Sequence, residues 1–394
     1  MNIWKSKKLK ELDGVEIILG QSPSSKSYNK KKNGLPFLQG KAEFGMIYPI
    51  PEIYTDAPLK IAEGNDLLLS VRAPVGDINL SPYKLCIGRG LAAIRFKKDN
   101  PKFYFYWFLK NQKHIESLGV GSTFKAITGE QLKKILVPIV ELLEQTAIAN
   151  ILSTVDEAIQ KADEAIIKTE RIKQAMMQKL LSEGIGHKEF KQTKIGKIPK
   201  SWTIKKISEF VESAMGGGTP STKIESHWTG EIHWMTSANI DGKEVFRGQK
   251  MINADAVKNS ATNLIPKDSL LVATRVGIGK ACINRVDMAI SQDLTGFVLN
   301  NQIKLDFLYW FLMANQTKLK SLAQGSTIKG ILKSDLLKMD IPFPDLKEQM
   351  AISNLLDNIL NLLELKLRRK KQLEKIKQGL MDDLLTGKKR LNIN

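Results

Sequence analysis

The sequence predicts an α+β protein: two repeated α/β-mixed blocks joined by two long antiparallel helices that form a coiled coil, the whole pseudo-twofold symmetric. Three observations carry that expectation. One stretch occurs twice, strand-like and helical runs precede it in the same order each time, and a long segment with a helical apolar stripe follows it each time.

The repeat is settled first because it fixes the architecture. Gly121-Ser122-Thr123-Phe124-Lys125, Leu132, Pro138, Glu144-Gln145, Ile148 and Ile151-Leu152 return as Gly325-Ser326-Thr327-Ile328-Lys329, Leu336, Pro342, Glu348-Gln349, Ile352 and Leu355-Leu356. Every pair lies 204 residues apart, and the register continues to Leu180-Leu181 and Leu384-Leu385. An offset held across that many positions is tandem duplication and not composition. It divides the chain into a first block (1–140), a first helix (141–185), a second block (186–344), and a second helix with a basic tail (345–394).

A chain of 394 residues is long for one core, and 42% hydrophobic content is that of a globular protein. No apolar run approaches the ~18 residues of a membrane span. The basic N-terminus leads into residues 12–19, which Asp13 and Glu16 interrupt, so a signal peptide is not expected and a cytoplasmic location is. Cys86 and Cys282 fall on non-equivalent repeat positions and argue against a disulfide framework or a zinc site. The net charge of +19 divides as +10, −3, +8 and +4 over the four segments, so the positive charge sits mostly on the two blocks. That points to two polyanion-binding surfaces, against the alternative of lysine-rich, merely soluble loops.

Within each block the elements follow in order. A basic, weakly structured arm opens the first, followed by the loop Gly20-Gln21-Ser22-Pro23-Ser24; its counterpart is Gly217-Gly218-Thr219-Pro220-Ser221. Such loops either present backbone N–H groups to a phosphate or are only turns. Strand-like runs follow at 66–72 and 91–96, matched by 268–275 and 294–299. Arg72-x-x-x-Gly76 and Arg275-x-x-x-Gly279 close the first strand of each set, as a groove or phosphate contact or as a structural ion pair. An aromatic-rich helix is expected over 103–118 and again over 305–322, sharing Tyr-Trp-Phe-Leu from Tyr106 and from Tyr309, with core packing favoured over base stacking. The Gly-Ser-Thr-x-Lys loops come next. Their hydroxyls and lysine suit a phosphate oxygen, and equally a glycine turn capping the next helix.

Residues 142–183 place Ile151, Val155, Ala158, Ala162, Ala165, Ile172 and Met176 on one seam, with Leu152, Ile159 and Ile166 widening it. The second copy has Ile352, Leu356, Ile359 and Leu363, then Leu373, Ile376, Leu380 and Leu384 beyond a basic middle at 366–371. Asp345 and Glu348 form an N-cap with a reciprocal partner, whereas the first helix lacks such a cap. Gly184 and Gly387 stop the two helices. A lysine-rich linker over 188–201 returns the chain, and rods of ~60 Å paired antiparallel would set the blocks at a fixed separation.

Catalytic motifs are missing. There is no Asn/Asp-Pro-Pro-Tyr/Phe run, no Walker loop and no Gly-x-Gly-x-x-Gly after a strand, and four histidines show no metal spacing. Asp345 with Glu364-Leu365-Lys366 imitates a nuclease pattern. On one helix, however, the two carboxylates stand about 28 Å apart and cannot share a metal. The expected protein is not an enzyme and needs no cofactor. A nuclease or solitary methyltransferase, and an architectural coiled-coil protein binding nucleic acid without sequence preference, are the competing hypotheses.

Two repeated blocks, each followed by a long helix opening Glu144-Gln145-x-x-Ile148 or Glu348-Gln349-x-x-Ile352 after Pro138 or Pro342, resemble the specificity subunit of type I restriction-modification systems. Val140 replaces the Pro344 of the second copy. The resemblance covers essentially the whole chain. It implies two target recognition domains reading the halves of a bipartite double-stranded DNA sequence, with the helices as spacer and docking platform. It also implies two methyltransferase subunits, which bind S-adenosylmethionine, and an ATP-using restriction subunit as partners. The candidate DNA-contact residues are Arg72, Ser122, Thr123, Lys125, Arg275, Gln292, Ser326, Thr327 and Lys329, with Gln292 as a base reader.

Overall fold

The computed structural model describes residues 4–120, 125–324 and 330–391. Four helices organise it: α1 (Pro101–Lys110), α2 (Leu142–Glu183), α3 (Leu305–Ala314) and α4 (Leu346–Leu384). Two compact units emerge, 1–164 with 367–394, and 165–366.

In the first unit an antiparallel sheet runs Val15–Leu19, Leu91–Phe96, Leu67–Ser70, Ile78–Leu80. Leu67–Ser70 is buried throughout, as a strand covered on both faces must be, which explains its unbroken apolar run. A second sheet runs Tyr28–Asn29, Ile53–Thr55, Leu35–Leu38, Leu85–Ile87, Ile61–Ala62, and its Leu35–Leu38/Leu85–Ile87 pair is parallel. The basic arm is more ordered than expected: Ser6–Lys8 pairs antiparallel with Leu136–Pro138.

The second unit repeats the plan. Its first sheet orders Val211–Gly216, Leu294–Leu299, Ser269–Ala273 and Ala281–Asn284, and Glu244–Val245 adds a fifth strand. Its second sheet again holds one parallel pair, Ile232–Met235 with Met288–Ile290. The expected linker over 188–201 is instead a β-hairpin, Phe190–Thr193 against Gly196–Pro199, with Lys197 over the Phe190 ring.

Asn100 caps α1 by accepting from the Lys102 and Phe103 N–H groups, and six consecutive residues, 103–108, are buried. A helix apolar on all sides belongs in a core, and core packing is what is found. The expected single helix over 103–118 is two. Asn111 turns its side-chain amide back to the Trp107 carbonyl at 2.8 Å, and a short helix restarts at Gln112–Ser117. Asn315 does the same to Phe311 at 2.8 Å. An asparagine side chain competes with the backbone for its own carbonyls, and here it breaks the helix. The Tyr-Trp-Phe-Leu correspondence is also out of register by one. α1 and α3 begin and end 204 residues apart, so the counterpart of Tyr106 is Trp310 and not Tyr309. Both donate to an acid on a long helix: Tyr106 to Asp156 at 2.8 Å, Trp310 to Asp357 at 3.0 Å.

Within the first unit, residues 142–164 of α2 and 367–384 of α4 share one core through Ile148, Leu152, Met381 and Leu384. Asp156 meets Lys377 and Asp163 meets Lys370, each at 2.6 Å, so these two segments run antiparallel. Within the second unit Met177, Leu180 and Leu181 pack with Ile352 and Leu356. The buried stripe on α2 is Ile148 with Leu152, Ile159 and Ile166, the last three expected only to widen the seam; Ile151, Val155, Ala158, Ala162 and Ala165 are half-buried and Ile172 is 46% exposed. The helix serves its own block as well as the other helix, and that rotates its deepest face.

Asp345 caps α4 through the Glu348 N–H at 2.8 Å, as expected. The expected return contact is not made. The Glu348 carboxylate accepts instead from the Ile185 N–H (2.9 Å), the His187 ring (2.8 Å) and the Trp202 indole (2.8 Å). Glu144, its repeat counterpart, accepts from Arg390 Nε and Nη2 and from the Leu391 N–H. Each glutamate thus holds the chain just past the end of the other long helix, where Gly184 (φ +68°) and Gly387 (φ +72°) turn it.

Candidate functional site

Each first sheet ends in a rim of loops, and four backbone hydrogen bonds recur at equivalent places in both rims. Between Leu85–Ile87 and Leu91–Phe96 lies a three-residue connection, Gly88-Arg89-Gly90. The Leu91 N–H closes a tight turn onto the Gly88 carbonyl at 3.0 Å, and the Gly88 N–H donates to Leu38. In the second unit Ser291-Gln292-Asp293 does the same, with Leu294 donating to Ser291 at 3.1 Å and Ser291 to Met235. Gln21 and Gly218 donate to Ile87 and Ile290, and Val71 and Thr274 donate to the last turn residue, Gly90 or Asp293, at 2.9 Å. A Cβ added at Gly90 would lie 2.7 Å from the Gln39 carbonyl oxygen, closer than real Cβ contacts come, and one at Gly88 would press on the Gln39 Cα at 3.0 Å.

The Gly-x-Ser/Thr loop seats itself against this turn. Ser22 Oγ donates to Gln39 Oε1 at 3.0 Å and accepts from the Arg89 N–H at 3.2 Å. Thr219 Oγ1 donates to Gln292 Oε1 at 2.6 Å. The N–H groups of Gly20, Gln21 and Gly218 are consumed by internal carbonyls, so they do not form the phosphate cradle considered from sequence.

The backbone that follows Lys125 runs beside Arg72. Arg72 and Ala126 form an antiparallel bridge, and the Ile127 N–H donates to the Val71 carbonyl at 2.9 Å. In the second unit the Ile331 N–H donates to Thr274 at 2.7 Å, which brings the chain past Arg275 in the same way. Arg275 and Gln292 share the rim through the Thr274–Asp293 contact. Ser122, Thr123, Ser326, Thr327 and Lys329 lie outside the described residues. Gly76 and Gly279, both at positive φ, face Gln112 and Gln316 at the helix break, so they serve packing and not a ligand.

Geometry sorts the cations. Arg95 is committed to Asp66 and Glu16, and Arg285 to Glu244 and Asp268; the hydrogen bonds that Arg95 donates to Asp66, with the nearby charges of Asp66 and Glu16, hold its guanidinium above its ordinary pKa. Arg72, Arg89, Lys125 and Arg275 are exposed and join no ion pair among the described residues. A charge with no protein partner at a loop rim is available to a phosphate or a base edge. Arg89 escaped the sequence reading because Gly-Arg-Gly and Ser-Gln-Asp share no residue. Extending the match of 91–96 with 294–299 back by two positions would have set Arg89 opposite Gln292.

Among the described residues no cluster of three or more metal-binding side chains occurs, and no helix is long and apolar enough to cross a membrane. Both cysteines are free and buried, and burial pushes the Cys282 thiol up to about 12.

Two sheet-and-helix units with equivalent polar rims define the class of protein, and comparison gives the family. The family described as the type I restriction modification DNA specificity domain matches residues 1–169 and 199–375. The chain belongs to that family and carries two such domains. Specificity subunits are the non-catalytic DNA-recognition components of type I systems. From Methanocaldococcus jannaschii, the putative type I restriction enzyme MjaX specificity subunit is 48% identical over 181 residues, 45% of this chain and 43% of that protein. The MjaVIII specificity subunit of the same organism is 27% identical, covering 100% of this chain and 99% of its own length. The chain thus spans under half of the MjaX relative and nearly all of the MjaVIII relative. The crystal structure of a type I restriction-modification S subunit from M. genitalium aligns with a TM-score of 0.64 at 15% identity, covering 100% of this chain and 97% of that one. A chain from a study of complex assembly and conformational transition of the type I R-M system aligns at 0.62 and 16%, covering 97% of each.

Proposed function

We infer that the chain is the sequence-specific DNA-binding subunit of a type I restriction-modification complex, with one recognition domain (1–140 and 186–344) for each half of a bipartite duplex target. The helices 141–185 and 345–394 form an antiparallel coiled-coil spacer related by a pseudo-twofold axis. The spacer sets the gap between half-sites and docks two methyltransferase subunits, to which a restriction subunit is added. The chain supplies no catalysis and needs no cofactor of its own.

The observation that carries this is the rim. The same turn, a Ser or Thr hydroxyl seated against it, and exposed cations that join no ion pair among the described residues recur in both units, with different side chains at the tip. Phosphate contacts from Arg72, Lys125 and Arg275, joined by the Ser122-Thr123 and Ser326-Thr327-x-Lys329 loops, fix position; the tip reads sequence. The test is selection from a random duplex pool with the cognate methyltransferase subunits present. A bipartite motif with an unread gap is expected, and enrichment without any motif would replace this reading with non-specific architectural binding. Arg72→Ala and Lys125→Ala should each weaken binding to all sequences alike and reduce the slope of log K against log salt by about one. A changed base preference at unchanged slope would contradict the phosphate role.

A further inference from the structure

We propose that Arg89 and Gln292, which occupy one and the same position of the fold, are the paired specificity-determining residues of the two units, Arg89 reading a guanine and Gln292 an adenine. The inference rests on the DNA-reading assignment above and goes beyond it by naming residue and base. Both side chains are exposed at the second position of a tight turn whose closing bond and strand-anchoring backbone hydrogen bonds recur in both units. The duplication has kept the turn and changed its tip.

The turn is rigid enough to aim a side chain. It is closed by its own hydrogen bond, tied to the neighbouring strands through Leu38 and Val71 or Met235 and Thr274, and braced by Ser22 or Thr219. A planar guanidinium with parallel donors matches the O6 and N7 acceptors of guanine, and a carboxamide matches the N7 acceptor and N6 donor of adenine. Thr219 occupies one of the two lone pairs on Gln292 Oε1, which fixes the amide and leaves the other lone pair and the Nε2 protons for a base. Arg89 joins no ion pair among the described residues, in contrast to the committed Arg95 and Arg285.

The experiment is the same random-pool selection, run on wild type, Arg89→Gln, Arg89→Lys and Gln292→Arg with the methyltransferase subunits, alongside the salt dependence of binding. Arg89→Gln should move one position of one half-site from guanine to adenine, and Gln292→Arg one position of the other half-site from adenine to guanine. Each shift should be about tenfold or more in preference. Arg89→Lys, which keeps the charge without the planar fork, should weaken the guanine preference and keep the salt slope. Unchanged motifs with a salt slope lower by about one for Arg89→Gln would make Arg89 a phosphate contact and overturn the proposal. A wild-type protein that selects no bipartite motif would defeat the underlying DNA-reading assignment instead, a separate result.

Discussion

Gln145 and Gln349 show what the Glu-Gln signature does. Both are fully buried. Gln145 accepts from the Asn100 N–H at 2.7 Å and donates to the Val140 carbonyl at 2.9 Å, and Gln349 makes the equivalent bonds to Lys304 (2.8 Å) and Pro344 (2.9 Å). The side chain therefore satisfies the last backbone group before a long helix and the first before an aromatic one. Gln145→Ala strands both groups in a site closed to water, and roughly 3 kcal/mol of stability should be lost in chemical denaturation. The sequence marked this residue by repetition but could not reveal its partners, since neither Asn100 nor Val140 is recognisable as a site by type. At the tip of the turn the difficulty was the opposite. Conservation of backbone shape with no conservation of residue leaves no pattern to find until hydrogen bonds are compared.

At the scale of elements, periodicity located the strands 91–96 and 294–299, the two long helices and their glycine stops. It misjudged where a helix breaks and which face lies deepest. Both errors have one cause: side-chain bonds from Asn111 and packing of α2 on its own block are tertiary facts that helical spacing does not encode. The glutamate clasps are tertiary in the same sense, and one of them predicts a pH response. Burial works to raise the Glu144 pKa, but the Arg390 guanidinium and the Leu391 N–H outweigh it and leave it below the ordinary glutamate value. Its contribution is therefore complete above the unfolded pKa of ~4.3 and is lost as pH falls through the lower folded value. Glu144→Gln should be less stable than wild type at neutral pH by on the order of 1 kcal/mol. The difference should shrink on acidification through that range; a gap constant with pH would show that the charge is not what matters.

For the whole molecule, the duplication was plain from a single offset, and with it the two specificity domains. The division into units was not, because each long helix contributes to both: residues 142–164 to one and 165–183 to the other. In the proposed spacer this means that neither helix can be lengthened alone. Inserting seven residues into both α2 and α4 adds ~10 Å of helix, the rise of about three base pairs, and the unread gap should grow by that number in the random-pool selection. Insertion into one helix only should break the pairing and lower the melting temperature without defining a new gap.

The clasp on Glu144 also sets an order of events during synthesis. Arg390 leaves the ribosome 246 residues after Glu144. At elongation speeds of about 5–20 residues per second that is a delay of roughly 12–50 s. The unit made of residues 165–366 is contiguous and has all its strands and helix segments in hand before then. The half that is translated first must therefore wait, its Leu152 stripe uncovered, and is the last to close. Released chains truncated after residue 366 should yield a protease-resistant second unit and a first unit still open to digestion.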